Sequence, residues 1–335
     1  MLFNAENKID KKLKKNFRLL LLTSILSGVS GTGFAATITC TPEADGSYLP
    51  GNTIPSCNNV VAATTTQSGG ADHYILTRSR LHETLTVGDT VVTANVTGGY
   101  SGVGNQYATG ASGAVINTGN LTFNVKANGN VAGIGTHSNV NMTTKNVILN
   151  LTDNYTAGSN NSGYVAQYGV LTGSTVDSGE RATYNGQYST ITTENLTINQ
   201  TATGGKVNPI LNNGIRAIQG AYQNLGNGSA GQVIVNGNLD MTLTGNRSIG
   251  IYVSGNQSNH GDATAAGSNG ALTPKVILNN DATITINKGT DSSFSVWDSH
   301  GIKLGKVRYA GEGPGIFESH GNLVIDTTNA LQGGG

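Results

Sequence analysis

The feature that most constrains this chain is a recurring unit. It consists of a short apolar strand, a polar corner, and a second strand whose side chains alternate. Segments 114–125, 189–199, 233–243, 276–286 and 316–325 carry it. They align on a corner residue at Asn120, Asn195, Asn238, Asp281 and Asn322, with final intervals of 43, 43 and 41 residues. Residues 145–151 add a copy with its corner at Asn146 and an irregular spacing. A third element follows each alternating strand, at 131–135, 168–171, 213–218, 249–253 and 300–304. Three short strands per unit, joined by loops of variable length, are what one coil of stacked parallel strands requires. No coil buries its apolar face alone, so stacking at about 4.8 Å, the spacing of strands in a sheet, must make one continuous core. Alternation turns Leu121, Phe123, Ile198, Met241, Ile284 and Leu323 inward.

These units predict an all-β fold, a right-handed parallel β-helix with three strands per coil and an N-terminal cap. An antiparallel sandwich also has short strands, and Asn236-Gly237 is a hairpin-type dipeptide. A sandwich, however, does not need the same strand order every 43 residues. Asparagine suits the corner in two ways. It tolerates a left-handed backbone, and its amide can bond the equivalent amide one coil away. Asp281 fits the first role and would repel a like neighbour, but its neighbours are asparagines.

The first 36 residues predict export. Lys8, Lys11, Lys12, Lys14, Lys15 and Arg18 precede an apolar run from Leu19 to Leu26, then small residues and Phe34-Ala35-Ala36. A basic segment, an apolar segment and a small-residue site form a secretory signal, with cleavage after Ala35 or Ala36. A spanning helix needs about 20 apolar residues, and this run is roughly half that. No later stretch is apolar enough to span a bilayer as a helix.

Charge is informative mainly where it is scarce. Charged residues are 11% of the chain, and Gly numbers 48 of 335. The net charge of zero hides a basic leader; the remainder is mildly acidic. A nucleic-acid partner would need a basic face, so none is expected. Cys40 and Cys57 form a close pair in an exported chain and predict a disulfide. Closing that Pro/Gly-rich loop would contribute about 3 kcal/mol. Two cysteines alone do not fill a zinc site. The expected organisation is a signal peptide at 1–35, an N-terminal cap with the disulfide loop at 36–110, and coils at 111–335. The chain ends just after a unit begins at Asn322, so the solenoid reads as unfinished.

No catalytic, metal or cofactor motif emerges. The string Val176-Asp-Ser-Gly-Glu180 lacks the leading glycine of a serine-protease nucleophile segment. His73, His82, His137, His260, His300 and His320 are scattered, and the pairs Ser299-His300 and Ser319-His320 look like repeat positions. The glycine strings at 102–105 and 133–135 do not continue into a helix. Carboxylates are too dispersed for a calcium-dependent lyase. Contact residues for a partner are expected on loops at 155–188, 200–212, 220–231 and 255–274, which hold tyrosines such as Tyr155, Tyr164, Tyr168, Tyr184, Tyr188 and Tyr222.

The basic leader, the close cysteine pair and the Gly/Asn/Thr-rich coils with Gly-Asn-Leu corners (119–121, 237–239, 321–323) together resemble the N-terminal passenger region of a Gram-negative autotransporter, the type V secretion family. The resemblance covers nearly the whole chain and rests on composition and repeat pattern. It implies passage through the Sec export machinery, and display by a C-terminal outer-membrane β-barrel absent from this sequence. It also implies a cell-surface, outer-membrane or extracellular location, periplasmic for a chain without its barrel. The function implied is a non-catalytic adhesin or interaction rod with a host protein or glycan ligand. The alternative is the stalk of a protease or esterase passenger whose catalytic part lies elsewhere.

Overall fold

The computed structural model describes residues 56–57, 60–62, 74–75, 84–96, 106–107, 115–127, 131–136, 139–153, 166–173, 187–202, 211–220, 229–257, 272–289, 299–305, 315–330 and 333–334. All lie within one compact unit, Thr37–Gly335. Every regular element among them is a strand, and every strand pairing is parallel.

The strands fall into successive coils. The first holds β1 (Ser56–Cys57), β2 (Val60–Ala62) and β3 (Tyr74–Ile75), and the second β4 (Thr84–Val87), β5 (Thr90–Val96) and β6 (Gln106–Tyr107). Then come β7 (Val115–Thr118), β8 (Leu121–Ala127) and β9 (Val131–Thr136). The next two coils merge their first two strands into one: β10 (Asn141–Asp153) with β11 (Ala166–Thr172), and β12 (Tyr188–Ala202) with β13 (Leu211–Gly220). The three-strand form returns in β14 (Ala230–Val235), β15 (Leu239–Gly245) and β16 (Ser248–Gln257). It continues in β17 (Lys275–Leu278), β18 (Ala282–Asn287) and β19 (Ser299–Leu304), then in β20 (Ile316–Ser319), β21 (Leu323–Asp326) and β22 (Gly333–Gly334). The first two strands of each coil build a 14-stranded sheet and the third builds an 8-stranded one. This all-β, coil-on-coil parallel architecture is consistent with a β-solenoid.

The expected boundary at residue 111 is not where stacking begins. Strand β5 pairs β8 from Thr90↔Leu121 through Val96↔Ala127, and β1 pairs β4. The earlier coils are harder to see in sequence because Gly88-Asp89-Thr90 opens β5 where Gly-Asn-Leu opens later copies. Residues 1–55 lie outside the described residues, so the expected signal peptide, its cleavage at Ala35 or Ala36, and Cys40 do too.

The core sits between the two sheets. One inward column of the 14-stranded sheet runs Phe123, Leu149, Ile198, Met241, Ile284, Ile325. Its first five members are at most 2% exposed. Each such burial contributes about 2 kcal/mol. The facing column of the 8-stranded sheet is glycine: Gly133, Gly169, Gly214, Gly250, Gly301. A Cβ on Gly214 would lie 2.3 Å from Met241 Sδ, and one on Gly250 would lie 2.7 Å from Ile284 Cγ2 and 2.4 Å from the Gly301 carbonyl oxygen. Each glycine thus receives the large side chain of the following coil. Leu323, expected in the core, is 36% exposed on the last described coil, whereas its upstream equivalents Leu239 and Ala282 are buried.

Several buried polar groups pair with one another, within a coil or between neighbouring coils. Thr136 and Thr172 hydroxyls lie 2.8 Å apart, and Ser189 and Ser229 hydroxyls likewise. Gln200 Nε2 donates to Asn212 Oδ1 at 3.0 Å, and Asn212 Nδ2 donates to Ser248 Oγ at 3.2 Å. Such pairing offsets the desolvation that unpartnered groups would suffer.

Candidate functional site

The corner residues form a single row. Strand register aligns Asn120 with Asn146, Asn195, Asn238, Asp281 and Asn322, because the residue after each is paired across the sheet. Asn146 Nδ2 donates to Asn120 Oδ1 at 2.8 Å, and Asn195 Nδ2 donates to Asn146 Oδ1 at 2.7 Å. Asn238 adds its backbone N–H to Asn195 Oδ1 at 2.8 Å. Asn322 gives Asp281 Oδ1 both its backbone N–H and its side-chain Nδ2, at 2.9 and 3.1 Å. Among the described residues the row breaks once, between Asn238 and Asp281, where an Asp side chain lacks the amide N–H that Asn gives elsewhere in the row.

The row has one more member, which sequence reading missed. Asp89 precedes Asn120 in register and accepts its backbone N–H at 2.8 Å and its side-chain Nδ2 at 3.0 Å. Those two bonds, backbone first, hold the Asp89 carboxyl below the usual carboxylate range. The signal was present: Gly88-Asp89 before an alternating strand repeats the Gly-Asn of other corners. The glycine before the corner is explained by close approach. A Cβ on Gly237 would lie 2.3 Å from Asn195 Oδ1, and one on Gly119 would lie 2.3 Å from Asp89 Oδ1.

One expected role for asparagine is corrected. The corner residues do not adopt a left-handed backbone; among described non-glycine residues only Asn139 has a positive φ, 63°. Asparagine serves the corner through its amide, which both donates and accepts along the stack.

The two outer faces differ sharply. On the 8-stranded sheet, Asn213 lies between Tyr168 and Ile249 in register, and Arg216 lies between Leu171 and Tyr252. Arg216 Nη1 donates to the Tyr168 hydroxyl at 2.7 Å, and its guanidinium carbon stands 5.3 and 5.2 Å from the Tyr168 and Tyr252 ring centroids. Asn213 is wholly buried, and neither atom of its amide has a hydrogen-bond partner among the described residues. On the second arm of the 14-stranded sheet, which follows the corner row, the outward side chains from Thr122 to Asn287 are exposed or half-buried, and they are mostly Thr and Asn.

Two other expectations are corrected. Tyr168 and Tyr188 are not loop residues; they sit on β11 and β12. Tyr188 donates to the Thr273 carbonyl at 3.1 Å and lies under Lys275 Nζ at 5.0 Å, while burial pushes its phenol upward. Tyr155, Tyr164, Tyr184 and Tyr222 lie outside the described residues. Nor are the two Ser-His pairs equivalent. Ser299 and His300 belong to β19 of the 8-stranded sheet, whereas Ser319 ends β20 of the other. His320 lies 3.7 Å from Glu318, with both side chains in solvent.

For the disulfide expectation, only the Cys57 backbone, in β1, falls within the described residues. Among described residues no group of three potential metal ligands comes together, and no helix is long and apolar enough to cross a membrane. Compared with known protein families, with curated proteins and with solved structures, the chain gives no match.

Proposed function

We propose that this chain is the exported, surface-displayed passenger of an autotransporter, working as a non-catalytic adhesin or interaction rod. In this reading the solenoid is right-handed and three-stranded per coil. An N-terminal cap pinned by a Cys40–Cys57 disulfide shields its first edge. Display requires the Sec machinery and an outer-membrane β-barrel outside this sequence, and the ligand is a host protein or glycan.

The observation that carries the reading is the corner row. Polar side chains that could have converged on a reaction centre are instead spent one per coil on joining coils. Such a stack extends surface area without concentrating chemistry, which is what an interaction rod needs. The basic leader followed by a short apolar run supports export.

The test is expression of the full chain fused to an autotransporter barrel in a Gram-negative host. The reading expects loss of residues 1–35, protease-accessible protein at the surface, and new adhesion to cells or extracellular matrix. Full-length protein retained in the cytoplasm would overturn it. For the fold, far-UV circular dichroism of residues 36–335 should give β signal with little helix.

A further inference from the structure

The second arm of the 14-stranded sheet carries an unusual outer face. Strands β8, β10, β12, β15 and β18 each offer three outward positions in register. Every one of these is Thr or Asn except Lys126, Ile148 and Asp240, and none is buried. Exposed strand faces ordinarily draw Lys, Glu, Asp and Arg. Like charges one coil apart would repel, which removes single-sign columns. Alternating Lys and Glu would not repel, and the face uses neither pattern.

The lattice is also ordered. Asn150 Nδ2 donates to Asn124 Oδ1 at 2.8 Å, and Asn199 Nδ2 donates to Asn150 Oδ1 at 2.9 Å. Neutral donor–acceptor groups therefore repeat at about 4.8 Å between coils and about 6.6 Å along each strand.

We propose that this face binds a neutral, hydroxyl-rich polysaccharide lying along the stacking direction. The inference rests on the adhesin reading and names its ligand class. A face almost free of charge offers nothing to an ionic polymer. On these five strands it has no aromatic residue and Ile148 as its one apolar side chain, with Val91 and Val324 extending the same row on the flanking coils, so it offers a protein partner no large anchor. A sugar in an extended β-1,4-linked chain advances by about one coil spacing and alternate sugars are turned over, so every coil meets a sugar and every second coil meets the same sugar face. Threonine hydroxyls and asparagine amides both donate and accept, which suits sugar hydroxyls. Each bond merely replaces one to water and is weak alone. Retention comes from repetition along the polymer.

The test uses the full chain with microcrystalline cellulose, insoluble chitin and a soluble neutral glucan, read by co-sedimentation and by retardation in glucan-containing native gels. The informative variant combines Thr242→Glu with Thr283→Lys, which keeps net charge and sets the new lysine beside Asp240. A control puts the same charges on the other arm, Thr143→Glu with Thr192→Lys. The expected result is retention on at least one polysaccharide, about tenfold weaker for the first variant and unchanged for the control, with equal circular dichroism throughout. Retention on none of the three would overturn the inference, as would equal retention by both variants. So would a loss that tracks dissociation of a dimer in light scattering, which would make a second copy the occupant. Cell adhesion without polysaccharide retention sinks this inference and leaves the adhesin reading. Retention by a chain that never leaves the cytoplasm does the reverse.

Discussion

In the 14-stranded sheet each coil points a large side chain inward, from Phe123 through Leu149, Ile198, Met241 and Ile284. At the facing position of the 8-stranded sheet each coil has glycine. The outer faces invert this contrast: Thr and Asn in solvent on the second arm of the first sheet, Tyr168, Asn213 and Tyr252 buried on the other sheet. One sheet therefore supplies volume inside and hydrogen bonds outside, and the other supplies room. From Leu149 onward each large residue has its own glycine on the preceding coil, which ties those coils to one register. A slip of one residue along a strand would also turn its inward set to the outer face.

The largest expected effect is loss of that fit. Ile198→Ala removes core volume and should cost about 3 kcal/mol in urea unfolding, whereas its outward neighbour Thr197→Ala should cost under about 0.5 kcal/mol. Equal effects would contradict the assignment of inner and outer faces. On the opposite wall, Gly301→Ala should cost about 2 kcal/mol by overpacking, because its Cβ would lie 2.3 Å from Ile325 Cγ2. Ile325→Leu, which lacks that carbon, should rescue most of the loss. Failure of the rescue would mean the two columns do not meet.

Next in size is the corner row. Asn195→Ala removes a donor to Asn146 and the acceptor of the Asn238 N–H, and should cost about 1 kcal/mol. Asn213→Leu should do the opposite and raise stability by about 1 kcal/mol, because it removes a buried amide with no partner among the described residues. A loss there would show that Asn213 has a partner.

The smallest effect is on pH dependence. The Asp89 carboxyl is held low in the folded chain, so its contribution is present above the unfolded carboxylate range, about pH 4, and is lost as pH falls through the folded value. Asp89→Asn keeps an acceptor for Asn120 without a titrating group. It should flatten the acid limb of a stability–pH curve and leave stability near pH 7 almost unchanged.

Much of this was legible in the sequence where residue type follows from stacking. Gly-Asn-Leu marks corners because the amide must reach one coil and the glycine must clear it. The Gly-Ile pairs at 214–215, 250–251 and 301–302 mark the third strand because a Cβ does not fit there. What was not legible followed from variable connections. Asn120 and Asn146 are 26 residues apart and Asn146 and Asn195 are 49, yet each step is one coil. Loop length carries no information about the stack, so spacing alone hid the N-terminal coils. The outer face of the 8-stranded sheet was equally hidden, since the sequence put Tyr168 on a contact loop and gave no sign that Arg216 donates to its hydroxyl.

Thiol cross-linking reads the stack most directly, in a chain whose Cys40 and Cys57 are both replaced by serine. Asn199 and Thr242 are register neighbours one coil apart, and Asn199 and Thr285 are two coils apart. Dibromobimane, which spans neighbouring strands but not next-but-one strands, should join Asn199→Cys with Thr242→Cys efficiently. It should leave Asn199→Cys with Thr285→Cys unjoined. Equal cross-linking of the two pairs, or joining of the second alone, would contradict the coil-on-coil parallel register.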